Sequence, residues 1–171
     1  EILIKTDMNI LEPYLKKAGI SKRGFANYNK RDSYPIKFVG LFGGRLKREV
    51  AQIARIAAKR DNVNVPAIIK IDDDLLKVIG LYVAEGYSRA IEGKKGLNQV
   101  YISAFDKEIR LLVKKTIMKS FGLKPSENKK DRVTFSSKVF YLFFTKILEC
   151  GQVAREKRIP SLFLNAPLDK L

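Results

Sequence analysis

With 171 residues, 46% of them hydrophobic and 10% aromatic, the chain has the length of one domain or two small ones and can bury a core, which excludes a disordered segment. Thirty-four Lys and Arg against eighteen Asp and Glu give a net charge of +16, and residues 1–65 and 66–171 each carry +8, so the basicity is no tail and points to a polyanionic partner. The absence of histidine excludes His-bearing zinc sites, Ser-His-Asp and Cys-His catalysis; no apolar run nears the ~20 residues that span a bilayer, and the single Cys150 cannot form an internal disulfide, so an intracellular place without a membrane role is expected.

The first 65 residues read as a small basic helical unit, with helical stretches over Ile10–Lys17 and Ile36–Phe42. Ser21 is a candidate N-cap for a helix over Lys22–Lys30. On it Lys22, Arg23, Ala26, Asn27 and Lys30 share one face, while Phe25 and Tyr28 point to the other. This resembles the recognition helix of a helix-turn-helix, which implies DNA contacts from Lys22, Arg23 and Asn27. A basic helical domain with a solvated face fits the same residues, and Gly24 is unfavourable in mid-helix. After Gly43-Gly44 a helix is predicted over Arg45–Lys59, apolar at Leu46, Val50, Ile53, Ala54 and Ala57. The polar, proline-containing stretch Asn62–Pro66 is the expected linker to a second domain over residues 66–171.

That domain opens on Asp72, Asp73 and Asp74, whose place just before an apolar run suits helix capping better than metal binding. The run Leu75-Leu76-Lys77-Val78-Ile79-Gly80-Leu81-Tyr82-Val83-Ala84-Glu85-Gly86-Tyr87 has helix length and ends in an acid and a glycine. Gly80 and Ala84, four apart, share a face on which a second helix could approach closely. Gly86 is expected in the left-handed conformation that closes many helices. Glu85 then lies at the negative end of the helix dipole, an unfavourable place for an acid without another role.

Val78 to Gly86 resemble the nine-residue LAGLIDADG motif of homing endonucleases and intein endonuclease domains, with its final acid on Glu85. A second stretch, Lys157-Arg158-Ile159-Pro160-Ser161-Leu162-Phe163-Leu164-Asn165-Ala166-Pro167, looks like the segment that leads into a second copy of the motif in two-repeat members. The resemblance covers roughly residues 66–171, and two motifs in order are more specific than either alone. No splicing histidine or splice-junction residue is present, so an intein origin would leave the endonuclease part only.

Beyond the motif, strands are expected over Tyr87–Ile91 and Asn98–Phe105 around a Lys-rich turn. Asp106 is a candidate cap for a helix over Lys107–Phe121. A hairpin of Lys124–Glu127 and Arg132–Ser136 and a helix over Val139–Leu148 follow. Helix, two strands, helix, two strands, helix is the half-repeat order that the resemblance implies, an α+β fold with an antiparallel sheet as a DNA-binding saddle. Strand parity directs Val100, Ile102, Ala104, Val133 and Phe135 inward. It leaves Gln99, Tyr101, Ser103, Arg132, Thr134 and Ser136 on the open face, and with Arg89 these are candidate DNA contacts or an ordinary solvated surface. Lys94, Lys95, Lys129 and Lys130 fall in the two hairpin turns, expected at the same end of the sheet and suited to phosphates.

The resemblance implies a site-specific double-strand DNA endonuclease in which two motif helices pack through their small residues and bring two acids together around Mg²⁺. Glu85 and the adjoining Gly86 are the metal and catalytic candidates, Gly80 and Ala84 the helix interface. The second acid is expected from a homodimer or from a second repeat beyond Leu171. The alternative is a protein on the same scaffold that holds DNA or RNA without cutting, such as a splicing maturase or a regulator.

Overall fold

A computed structural model describes residues 2–3, 8–31, 33–58, 63–91, 97–129 and 131–164, with backbone alone for residues 2, 3, 8–12, 22, 29, 46 and 127–129. The chain divides into two compact units, Glu1–Ile68 and Ile69–Leu171.

The first unit is mixed, not purely helical. Helices α1 (Met8–Lys17), α2 (Lys22–Lys30), α3 (Ile36–Val39) and α4 (Gly44–Ile53) accompany four very short strands, β1 (Ile2–Leu3), β2 (Ser33–Tyr34), β3 (Arg55–Ala57) and β4 (Asn64–Pro66), in the antiparallel order β2-β1-β3-β4. The helix expected over Arg45–Lys59 therefore ends at Ile53, and Ala54 turns extended with ψ 147°. Ala54 and Ala57 belong to a strand segment, not to a helix face. The ladder explains this: Ile56 pairs with both Ile2 and Val65, and Ala67 N–H donates to Ala54 O. Likewise Asn64–Pro66 is strand β4, not a linker, secured by the Arg55 guanidinium on Asn64. The helix expected over Ile36–Phe42 stops at Val39, and Gly40 to Phe42 continue as turns. Tyr34, Phe38, Phe42 and Val50 form the centre of this unit's core.

The second unit is α+β, with one antiparallel sheet covered on one face by helices. Helix α5 (Asp73–Glu85) leads into β5 (Gly86–Ala90) and β6 (Asn98–Ser103). Helix α6 (Lys107–Phe121), strands β7 (Ser126–Lys129) and β8 (Arg132–Ser136) and helix α7 (Lys138–Leu142) follow, the last continuing as a π-helical turn over Phe143–Ile147 and not as regular helix to Leu148. A short α8 (Ser161–Leu164) comes last among the described residues. Local signals set these bounds. Asp72 caps α5 by accepting from Leu75 N–H at 3.0 Å, Asp106 caps α6 through Glu108 and Ile109, and Gly122 closes α6 at φ 69°.

The strand order is β5-β6-β8-β7. Val100, Ile102, Val133 and Phe135 are fully buried beneath Leu75, Val78, Ile79 and Tyr82 of α5 and Val113, Ile117 and Phe121 of α6. Phe140 and Phe144 join them edge to face at 5.1 Å, and Tyr82 lies 4.3 Å from Phe144. Among the described residues no helix is long and apolar enough to cross a membrane.

The register corrects two expectations. The second hairpin begins at Ser126, so Lys124 precedes the strand. The described ends of the two hairpins also lie at opposite ends of the sheet: Ala90 faces Asn98 at one, whereas Lys129 faces Arg132 beside Ser103 at the other. Two hairpins joined through antiparallel central strands cannot turn at the same end.

Candidate functional site

The motif helix α5 buries one side and leaves the other open. Leu75, Val78, Ile79 and Tyr82 are at most 1% exposed, whereas Gly80, Ala84 and Glu85 are exposed. A Cβ added at Gly80 would meet nothing within 4 Å, so no contact among the described residues demands glycine there. The open side borders a groove of about 390 Å³ lined by Leu76, Gly80, Val83 and Ala84 with Ile159, Pro160 and Phe163. Glu85 is the last helical residue, one position beyond Ala84.

Gly86 is not left-handed. Its φ of −94° and ψ of 164° are extended, and the helix passes straight into β5. Its need for glycine is steric: a Cβ would lie 2.5 Å from the Tyr82 ring and 2.6 Å from the Tyr82 carbonyl oxygen.

A lysine that the sequence did not single out closes this end of the helix. Lys157 Nζ donates to Tyr82 O at 2.9 Å and stands 3.1 Å from the centroid of the Tyr82 ring. A cation suits the negative helix end and the ring face. Burial nevertheless acts the other way and lowers its ammonium to about 8, while the same burial pushes the Tyr82 hydroxyl up to about 12. The preceding loop is built to hold Lys157. Glu149 takes φ 52°, with Arg158 donating to its carbonyl oxygen at 2.7 Å and its carboxylate at 3.1 Å. Gly151, at φ 79°, leaves no room for a Cβ, which would lie 2.1 Å from Glu156 O. The Tyr82 hydroxyl donates to Gly151 O at 2.8 Å, and Ser88 N–H to Gln152 O covers the outer edge of β5. The only sequence signal for Lys157 was its place at the head of the Lys-Arg-Ile-Pro stretch; its partners lie 75 positions away.

The open face of the sheet is a connected polar surface. Tyr87 stacks on Tyr101 at 4.3 Å with planes 7° apart. Arg132 lies over both rings, at 5.3 and 5.6 Å, and donates from Nη1 to the Tyr87 hydroxyl at 2.7 Å. Its Nε is buried and meets no partner among the described residues. Arg89 donates from Nε and Nη2 to Gln99 Oε1, at 3.1 and 2.8 Å, and Gln99 Nε2 donates to Ser136 Oγ at 3.2 Å. Cross-strand neighbours cover part of this face, so Tyr101 is 5% and Thr134 2% exposed, while Ser103 is half-buried opposite Arg132. Thr134 thus offers almost no surface to a partner. Burial raises the Tyr101 hydroxyl above its ordinary range, against the pull of Arg89.

The turn lysines are harder to place. Lys94, Lys95 and Lys130 lie outside the described residues, as does the side chain of Lys129, and the opposite hairpin ends remove the expectation of one shared lysine cluster. In the first unit α2 exposes Arg23 and Asn27, with Ser21 Oγ accepting from Gly24 N–H at 3.1 Å; the side chain of Lys22 is outside the described residues. Phe25 and Tyr28 pack toward Tyr34.

Asp72 is a cap and an ion-pair partner, with Lys119 Nζ at 2.8 Å. That hydrogen bond from Lys119, followed by the one from Leu75 N–H, holds its carboxyl below the usual range. Cys150 is buried, which pushes its thiol up to about 11. Among the described residues no three His, Cys, Asp or Glu side chains are grouped to hold a metal ion.

No protein-family model matches the chain. It is 32% identical over 144 residues to the DNA polymerase II large subunit of Thermococcus kodakarensis, a match covering 82% of this chain and 8% of that protein. It is 35% identical over 104 residues to a DNA polymerase of Thermococcus litoralis, covering 58% of the chain and 6% of the polymerase. An uncharacterized protein of Methanocaldococcus jannaschii is 28% identical over 173 residues, or 96% of the chain and 18% of that protein. The chain thus spans less than a fifth of the length of each of these relatives.

Proposed function

We propose that this chain is the DNA-binding and catalytic half of a site-specific double-strand DNA endonuclease of the LAGLIDADG type, of intein or intron origin. The observation that carries the reading is the open side of α5, where exposed Gly80 and Ala84 lead to an exposed terminal Glu85. A second motif helix laid along that side, from a second repeat or a second copy, brings its own acid beside Glu85. Two small residues permit that approach, and the apolar groove beside them gives it area to bury.

The relatives support a mobile domain. Matches to under a tenth of two differently named polymerases, and to a piece of a protein not named as one, suit an insertion better than a part of the polymerase machinery. The charge of +16 and the guanidinium groups of Arg89 and Arg132 on the open sheet face suit a duplex lying on the saddle.

The fit to Mg²⁺ is conditional. One carboxylate and the Gly86 main-chain carbonyl are fewer oxygens than a divalent ion takes, so a paired helix must complete the set. When bound there, Mg²⁺ would activate water and stabilise the leaving oxygen. Glu85 and the Gly86 carbonyl would hold the ion, while Lys157, donating to the Tyr82 carbonyl oxygen, places a cation at the negative end of the same helix.

The lone carboxylate also favours a second reading, a DNA- or RNA-binding protein that does not cut. Incubating the chain, alone and fused to a second motif-bearing repeat, with a randomised duplex library and Mg²⁺ separates the two. Discrete double-strand ends that require Mg²⁺ and vanish in Glu85→Gln support the nuclease; sequence-selective retention without ends supports the binder.

A further inference from the structure

We propose that Arg89 is a guanine-reading group of the open sheet face and that Gln99 is its positioning residue rather than a reader itself. The proposal rests on the reading of that face as the DNA-binding surface.

Register places Arg89 directly opposite Gln99, so both side chains rise from the same face. Gln99 Oε1 accepts from Arg89 Nε and Nη2 and also from the Tyr101 hydroxyl, while Gln99 Nε2 donates to Ser136 Oγ. A guanidinium has donors only, so the amide must turn its carbonyl toward Arg89, and its orientation follows from chemistry. Both ends of the amide are thereby engaged. Recognition of adenine by glutamine needs a donor and an acceptor together at N7 and N6, which this Gln99 could offer only by releasing its partners.

Arg89 is in the contrary position. It is exposed, two of the five N–H groups of its guanidinium are held by Gln99, and the outer ones meet no partner among the described residues. Its Cζ stands 5.3 Å from the centroid of the Tyr101 ring, which is itself stacked on Tyr87. An amide on one edge and a ring beneath leave a planar fork directed outward. That fork matches the O6 and N7 acceptors of guanine in the major groove. Arg132 is less available, because one Nη is bound to Tyr87 and its Nε is sealed.

The test uses the full chain with a randomised duplex library, reading the bound sequences for the parent, Arg89→Ala, Arg89→Lys, Gln99→Ala and the double variant. The parent should show guanine at one position, and Arg89→Ala should lower that preference about tenfold or more. Arg89→Lys should keep affinity and lose the preference, because it keeps the charge without the fork. Gln99→Ala should weaken the same position, with the double variant no worse than Arg89→Ala. Loss of an adenine preference in Gln99→Ala, at a position that Arg89→Ala leaves intact, would overturn the proposal. The DNA-free protein supplies a separate readout: the Arg89 Nε–H NMR signal should be sharp and slowly exchanging in the parent and lost in Gln99→Ala. If that signal is missing while Arg132→Ala still changes the sequence profile, the clamp fails and the DNA face stands. If the signal behaves as expected while Arg89→Ala, Gln99→Ala and Arg132→Ala all leave the profile unchanged, the face is not the DNA surface and both readings fall.

Discussion

The Lys157 ammonium lies 3.1 Å from the centroid of the Tyr82 ring and donates to the carbonyl oxygen of the same residue at 2.9 Å. Burial lowers its proton affinity from 10.5 to about 8, so the folded chain releases this proton before the unfolded chain does. Between those values the unfolded chain holds more protons, and stability rises with pH across the window; below it the whole cost of the buried cation is present. Tyr82 and Cys150 act in the opposite sense, since their raised values make their contributions complete below 10.0 and 9.0 and lost above. Between pH 7 and 9 the parent should therefore gain melting temperature relative to Lys157→Met. Parallel thermal melts by circular dichroism check this, and a difference that stays constant with pH counts against the assignment.

Gly80 and Gly86 should respond in opposite ways to the same methyl group. Gly80→Ala meets nothing within 4 Å and should stabilise the isolated chain by ~0.5–1 kcal/mol through helix propensity. Gly86→Ala drives a Cβ into Tyr82 and should cost ~1–3 kcal/mol. Urea titrations of both variants measure the pair.

In the proposed assembly Gly80→Ala has a second effect, a larger atom between two motif helices, and Ala84→Leu exaggerates it. Both variants should fold as well as the parent yet associate more weakly and lose Mg²⁺-dependent cleavage, since a displacement near ~1 Å disables a metal site. Sedimentation and cleavage on the same samples decide. Assembly and cutting at parental levels by Ala84→Leu would remove the paired-helix model.

Glu85→Gln should leave stability within ~0.5 kcal/mol, because the side chain is exposed at a helix end. Duplex affinity should stay equal or rise, as a negative charge beside phosphate is removed, while cleavage is abolished. Filter binding and plasmid cleavage on one preparation test both halves.

Much of the second unit was legible because its signals are local. Asp106 caps α6 within the sequence itself, and the period of two sorted Val100, Ile102, Val133 and Phe135 inward without knowledge of their neighbours. The failures are non-local. Ala54 and Ala57 satisfy a helical pattern as well as Val50 does, and only pairing of Ile56 with Ile2 and Val65 turns that segment into a strand. Thr134 and Tyr101 occupy the face that parity assigns to them, but partners on adjacent strands cover them. The ends of the two hairpins depend on the strand order, which no local pattern encodes. At the site, α5 and its terminal Glu85 stand out in the run itself, whereas Lys157 is made special only by a residue 75 positions earlier.

The direct passage from α5 into β5 through an extended Gly86 has a mechanical meaning. No hinge separates Glu85 from the sheet, and Arg89 follows four residues later at about 3.3 Å each, roughly 13 Å along a continuous strand. In the proposed enzyme this junction is a ruler: the offset between the scissile bond and the base under Arg89 is set by covalent geometry. Replacing Arg89 would then change which sequence is cut without changing where, whereas lengthening β5 by a residue before Arg89 would shift the cut and turn Arg89 toward the core.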